Sequence, residues 1–325
     1  MPSSPRLHVV TGKGGTGKTT AAAALAIALA ADGRRTLLVE VEGRQGIAQL
    51  FDTPPLPYEE RQVAVAPGGG EVAALAVDTE AAMLDYLDIF YNLGRAGRAL
   101  RRMGAVDFVT TIAPGLRDVL LTGKVKEAVT REANGRPAYD AVVLDAPPTG
   151  RIVGFLDATR EVAGLTKHGP IHKHSEGVAA LLHGEATAVH LVTLLEEMPV
   201  QESLDAAGQL RAAGYQLGAV IVNRQQPRLL PAAAADGADL ESAVAAGIAG
   251  SGIDAGLAPA LADGLRRHLV RAAVQDANAA ALEAIDAPIV ALPEQPGRID
   301  LAALFELARY LRAGLRTAST AGTAG

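Results

Sequence analysis

Gly12, Gly17, Lys18 and Thr19 stand at the spacing G-x-x-x-x-G-K-T within the stretch TGKGGTGKTT. Glycine has no Cβ, so such a loop can curl with its backbone N–H groups turned inward around an anion. A lysine ammonium and the partial positive charge of a following helix N-terminus add to the same field. A hydroxyl beside the lysine offers a hard oxygen to Mg2+. This is chemistry for ATP or ADP with Mg2+. Gly14, Gly15, Thr16, Gly17, Lys18, Thr19 and Thr20 would cradle the phosphates, with Lys18 on the β and γ groups and Thr19 on the metal. A second lysine, Lys13, lies in the same loop, and phosphate binding alone does not require it.

Three further groups of residues bear on chemistry. Asp145 closes the apolar run AVVLD, at the carboxyl end of an expected strand, where ligands of open α/β sheets bind. Its carboxylate can hold Mg2+ through a water, and Gly150 can bring a backbone N–H near a γ-phosphate. Asn223 closes VIVN and offers both a donor and an acceptor to a base. His168, His172, His174, His183 and His190 crowd one stretch. No carboxylate or cysteine spacing completes a metal site with His172 and His174, so that stretch reads as a solvated loop.

Elements must position these groups. Strands are expected at Leu7–Val10, Thr36–Val41, Val72–Val77, Ala141–Leu144, Val189–Leu194, Ala219–Val222 and Pro288–Leu292. Helices are expected at Thr19–Ala31, Thr79–Tyr91, Arg95–Val109, Leu116–Glu132, Ser203–Ala213, Leu261–Ala284 and Asp300–Leu315. Phe51–Gly70, rich in Pro and Gly, reads as mostly loop, and Asn134-Gly135 as a turn. The alternation predicts an α/β fold: a three-layer P-loop NTPase with a mainly parallel sheet and helices on both faces. A single domain is expected over residues 1–315, with helical or loop insertions at about 152–185 and 227–258, and a disordered tail at 316–325.

Composition narrows the function. A net charge of -6 argues against broad nucleic-acid binding driven by counterion release. With no cysteine, disulfides, thiolate zinc sites and iron–sulfur clusters are excluded. Met1–Arg6 does not have the pattern of a signal peptide. No apolar run reaches the roughly 18 residues of a membrane span. A soluble, cytoplasmic protein is expected.

GKGGTGKTT resembles the deviant Walker A loop of dimeric ATPases, in which the second lysine reaches across the dimer to the partner's nucleotide. YDAVVLDAPPTGRIVGFL (Tyr139–Leu156) resembles the Walker B and switch II segment of the arsenite-pump and tail-anchored-protein targeting ATPase family. VAALAVDTEAAMLDYL is similar to that family's strand and helix after switch I, and APGLRDVL resembles its Pro-Gly helix start. VIVNR and PIVALPEQPGRID are similar to its two adenine-contacting segments. The resemblance is collinear from about Leu7 to Leu311, apart from the two insertions. It implies a homodimer, or a heterodimer with a paralogue, that hydrolyses ATP and gates a protein client or a membrane-protein partner without nucleic acid. It assigns catalytic roles to Lys13, Lys18, Glu42 and Asp145, and adenine contacts to Asn223, Pro293 and Glu294.

The departures sharpen the expectation. In LLVEVEGRQGIAQLF, Glu42 stands where the family has the water-orienting Asp, and Gly43 where it has Pro. Misplacing a catalytic group by about 1 Å can cost on the order of a hundredfold, so slow hydrolysis is expected. Ala146 and Pro147 replace the usual Thr and Ala of switch II. The lack of thiols argues against an arsenite-efflux motor. A partition-type ATPase shares the loop but fits the segments at Val72 and Tyr139 less well. A nucleotide-binding regulatory subunit with little turnover, paired with a paralogue, is the alternative.

Overall fold

The computed structural model describes residues 5–91, 114–165, 170–228 and 239–321. Strand β1 (Leu7–Gly12) is buried at every position, as expected of an apolar run flanked on both edges and covered on both faces. It lies between β7 (Ala141–Asp145) and β8 (Thr187–Thr193). Beyond β7 come β2 (Arg35–Glu40), β4 (Glu71–Ala76) and β3 (Arg61–Val65). Beyond β8 come β9 (Leu217–Gln225) and β10 (Ile289–Pro293). The order is thus β10-β9-β8-β1-β7-β2-β4-β3. Every pairing in it is parallel except β3 with β4.

Two cores cover the sheet. On one face, α1 (Lys18–Ala30) packs its alanines against Val10, Leu38, Val143 and Val192, and α10 (Leu301–Ala321) closes over it with Leu304, Leu307 and Leu311. α1 is apolar on every side because it is enclosed on every side. Arg312 and Arg316 of α10 reach Asp32, just past the end of α1. On the other face, α4 (Pro114–Thr130), α5 (Thr149–Leu165), α6 (Pro170–Leu182) and α7 (Glu197–Ala212) pack against Val9, Leu37, Leu144 and Leu191. This is the expected three-layer P-loop NTPase arrangement. α2 (Gly46–Leu50) and α3 (Thr79–Tyr91) follow β2 and β4 respectively.

The structure departs from the sequence reading in several places. Phe51–Gly70 is not all loop: it holds β3, an antiparallel edge strand, mostly exposed and too short to betray an alternating pattern. The turn at Asn134 and Gly135, both at positive φ, joins a small hairpin of β5 (Glu132–Ala133) and β6 (Arg136–Pro137). The first expected insertion, 152–185, is part of the helical layer. Ile152, Phe155, Leu156, Val178 and Leu182 all enter the core. The region of His172 and His174 is helical rather than loop. Residues 316–321, expected in a disordered tail, continue α10, anchored through Arg316. Within the second segment, α8 (Leu240–Ile248) buries no residue, and it packs along α9 (Ala258–Leu282). The helix expected at Arg95–Val109, and His168, lie outside the described residues.

Candidate nucleotide site

The loop after β1 is held in shape from within. Gly15 and Gly17 sit at φ +89° and +87°, where a side chain would be strained. A Cβ on Gly12 would lie 2.1 Å from the Val192 carbonyl oxygen, and one on Gly17 would lie 2.3 Å from Asn223 Nδ2. The Thr16 hydroxyl donates to the Lys13 carbonyl at 2.9 Å, and Asn223 Nδ2 donates to the Thr16 carbonyl at 2.9 Å. Strand β9 therefore braces the loop from the side, while the Thr11 hydroxyl donates to the Pro147 carbonyl at 2.6 Å and ties β1 to the segment after β7.

At the start of α1, the Thr19 hydroxyl donates to Asp145 Oδ2 at 2.7 Å. Asp145 Oδ1 is buried with no hydrogen-bond partner among the described residues. Burial pushes the Asp145 carboxyl up to about 6, helped by the charges of Glu40 and Glu42 and opposed by the Thr19 hydrogen bond and Lys18. Burial lowers the Lys18 ammonium, against the raising effect of Asp145 and Glu42. Negative charge here is incompletely compensated, and a cation relieves it. The donors are a hydroxyl and a carboxylate with an open oxygen, which suits Mg2+: a hard ion that keeps several waters and takes its other ligands from phosphates. Among the described residues no three His, Asp or Glu gather into an all-protein metal cage.

The two loop lysines differ. Lys18 is buried in the loop. Lys13 turns away from it and pairs with Glu202 Oε1 of α7 at 2.6 Å. The Thr149 hydroxyl, at the start of α5, donates to the other oxygen of Glu202 at 3.4 Å. Glu42 lies at the mouth, 3.5 Å from Arg44, close enough for its charge to act on both Lys18 and Asp145. The turn after it is tight. Gly43 has φ +67°, and Gln45 adopts φ +56° while its side-chain amide is paired to both the N–H and the carbonyl of Leu56.

Beside the loop, a cavity of about 230 Å³ is lined by Gly15, Gly17, Thr20, Asn223, Pro293 and Glu294, among others. Glu294 is fixed by Arg224 at 3.1 Å and Gln226 at 3.3 Å. The structure therefore brings the loop, Asp145, Glu42 and the expected base-side residues around one mouth at the carboxyl ends of the strands. Sequence reasoning missed three residues. Glu40 left a signal: like Asp145, it is an acid that ends a buried apolar strand. Glu202, 189 residues from Lys13, and Gln45 left none. Two of the crowded histidines do other work. His183 stacks on Tyr215, and His190 is buried against His8 with ring nitrogens 3.0 Å apart.

Phosphate-loop NTPases are the class that this sheet order and this loop define. Within that class, the chain belongs to the anion-transporting ATPase family, whose model matches residues 6–179. It is an ATPase. It is 56% identical over 317 residues to ATPase BagA of Mycobacterium tuberculosis, across 95% of this chain and 93% of that protein. It is 26% identical over 249 residues to the arsenical pump-driving ATPase of Escherichia coli, across 70% of this chain and 41% of that one. It is 28% identical over 204 residues to ATPase GET3 of Kluyveromyces lactis, across 60% of this chain and 57% of that one. No helix among the described residues is long and apolar enough to cross a membrane.

Proposed function

We propose that the chain works as a cytoplasmic, ATP-switched dimer that hydrolyses slowly and gates a protein client or membrane-protein partner. Its nucleotide is held with Mg2+ at Thr19 and, through water, at Asp145. The observation that carries this reading is the position of Lys13. A lysine in a phosphate loop that turns away from its own phosphates, to rest on Glu202 at 2.6 Å, is free for a second nucleotide across an interface. Its exchange of Glu202 for a partner's phosphate would also disturb Thr149, at the start of switch II. Lys18 supplies the charge in its own subunit. Slow turnover follows from Glu42, whose longer arm would place its carboxylate elsewhere than an aspartate that orients an in-line water.

Light scattering with and without a non-hydrolysable ATP analogue tests the reading. The wild type should change association state or shape on binding. Lys13→Ala should lose that change while keeping single-subunit nucleotide affinity within about threefold, since the Glu202 pair engages Lys13 away from Lys18 and the loop backbone. A wild type that never responds to the analogue overturns the dimer switch. Glu42 and Gly43 in switch I favour a second reading, a regulatory subunit with little turnover beside an active paralogue. Steady-state hydrolysis separates the two: Glu42→Gln should slow a working enzyme without weakening ATP binding. Arsenite efflux is disfavoured because the sequence offers no thiol to a soft ligand-seeker.

A further inference from the structure

We infer that Glu40 is a second carboxylate of the magnesium site, holding metal-bound water with one oxygen and helix α2 with the other. Glu40 ends β2 in register with Asp145 at the end of β7. In-register residues of parallel neighbours stand on the same face, on strands about 4.8 Å apart. Glu40 is 2% exposed. A carboxylate buried this deeply is retained only where something answers its charge. Yet no lysine or arginine among the described residues pairs with it. Its Oε2 accepts the Ile47 N–H at 3.2 Å. Its Oε1 has no partner, like Oδ1 of Asp145 beside it.

Anchoring α2 does not account for Glu40. A glutamine would accept the same N–H without bringing a charge into the core, so the anchor explains one oxygen and leaves the charge and the other oxygen unexplained. A hydrated divalent cation explains both. Mg2+ keeps several of its waters, and those waters must donate to acceptors around the site. Two buried carboxylates, each with one open oxygen, beside the Thr19 hydroxyl meet that need. α2 is close enough to respond. A Cβ on Gly46 would lie 3.2 Å from the methyl of Thr19, and Ile47 hangs on Glu40 itself. Metal arriving at Thr19 and Asp145 therefore acts on the first turn of α2 through Glu40, which works as a positioning residue between the metal and switch I.

The inference rests on the magnesium–nucleotide reading, and the experiment tells the two apart. Titrate Mn2+ into the full-length protein saturated with ADP, following free Mn2+ by electron paramagnetic resonance, and measure ADP affinity in EDTA alongside. Glu40→Gln, which keeps the Ile47 acceptor, should weaken Mn2+ about tenfold to a hundredfold, as loss of outer-shell partners does, while ADP affinity in EDTA stays unchanged. Equal Mn2+ affinity in wild type and variant overturns the role of Glu40. No Mn2+ binding even by the wild type overturns the nucleotide reading instead. Amide exchange of the wild type supplies a measurement that needs no variant. Adding Mg2+ to the ADP complex should slow exchange at Ile47, and an unchanged rate there overturns the link to α2.

Discussion

Two alanine-rich helices have opposite fates. α1 is 13 residues long and buries Ala21, Ala22, Ala23, Ala24, Ala26 and Ala30. α9 is 25 residues long and buries only Ala258, Ala262 and Leu282. In α1 the small side chains let the sheet approach on one side and α10 on the other, so the helix that carries Lys18 and Thr19 cannot shift without moving the core. In α9 the alanines alternate with Arg266, Arg267, Arg271, Asp263 and Asp276, which solvate it, and Val270 and Val274 stand 63% and 52% exposed. Alanine content gives helix in both cases. What surrounds the alanines decides whether the helix is a fixed mount or a projecting arm.

The largest effect that sharpens this contrast is expected at the mount. Lys18→Ala should weaken ATP binding by on the order of a hundredfold, the worth of hydrogen bonds to charged groups. Calorimetry showing unchanged affinity would remove the phosphate-loop assignment. No single substitution in α9 should approach that loss.

A pH effect of a few kcal/mol comes next, and it too belongs to the core half. His8 and His190 accept and donate in one buried chain: the Ala219 N–H donates to His190 Nδ1, the two rings meet at 3.0 Å, and His8 contacts the Pro5 carbonyl. Burial lowers His8 to about 4 and His190 to about 3. Their ordinary value is 6.5, so the unfolded chain binds more protons below it, and the stability they contribute is lost as pH falls from 6.5 towards 4. Asp145, raised to about 6, has the opposite sign and regains stability over the lower part of that range. Two groups outweigh one, leaving a net loss of about 1.4 kcal/mol per pH unit near pH 5. Urea melts at pH 6.5 and 4.5 should show it, and replacing both histidines by leucine should reverse the slope, because only the opposite contribution of Asp145 remains. A slope that survives the double replacement would place the acid sensitivity elsewhere.

Smaller still is the packing test. Ala24→Leu in α1 should destabilise by about 1–3 kcal/mol through overpacking, read as a drop in urea midpoint. Smallest of all, Val270→Ser in α9 should change stability by less than about 0.5 kcal/mol, as exposed substitutions do. If the two variants cost the same, the distinction between mount and arm fails.

The sequence made legible what chemistry forces into particular residues. The glycines at 12 and 17 are required where a Cβ would strike Val192 or Asn223, and the aspartate at 145 must end a strand beside the loop. Strands such as β1 and β7 were readable because both faces are apolar. β3 was not, because an edge strand of 5 residues with one buried position has no period to detect. Glu202 was invisible because its meaning depends on a contact across the fold. Glu40 was visible as an odd residue, but its partner is the Ile47 N–H of α2, whose 5 residues carry too little pattern to be seen in advance.

The closure of α10 over α1 has a consequence in time. Asp32 and Arg312 are separated by 280 residues, so the helix bearing the phosphate-binding residues leaves the ribosome long before its cover does. At about 5–20 residues per second, that interval is roughly a quarter of a minute to a minute. For that period the outer alanine face of α1 has nothing to pack against, and β10, which contributes Pro293 to the cavity beside the loop, has not yet been made. The cavity beside the loop is therefore completed last although the loop itself is made early, and the pace of synthesis sets when a new molecule first has both.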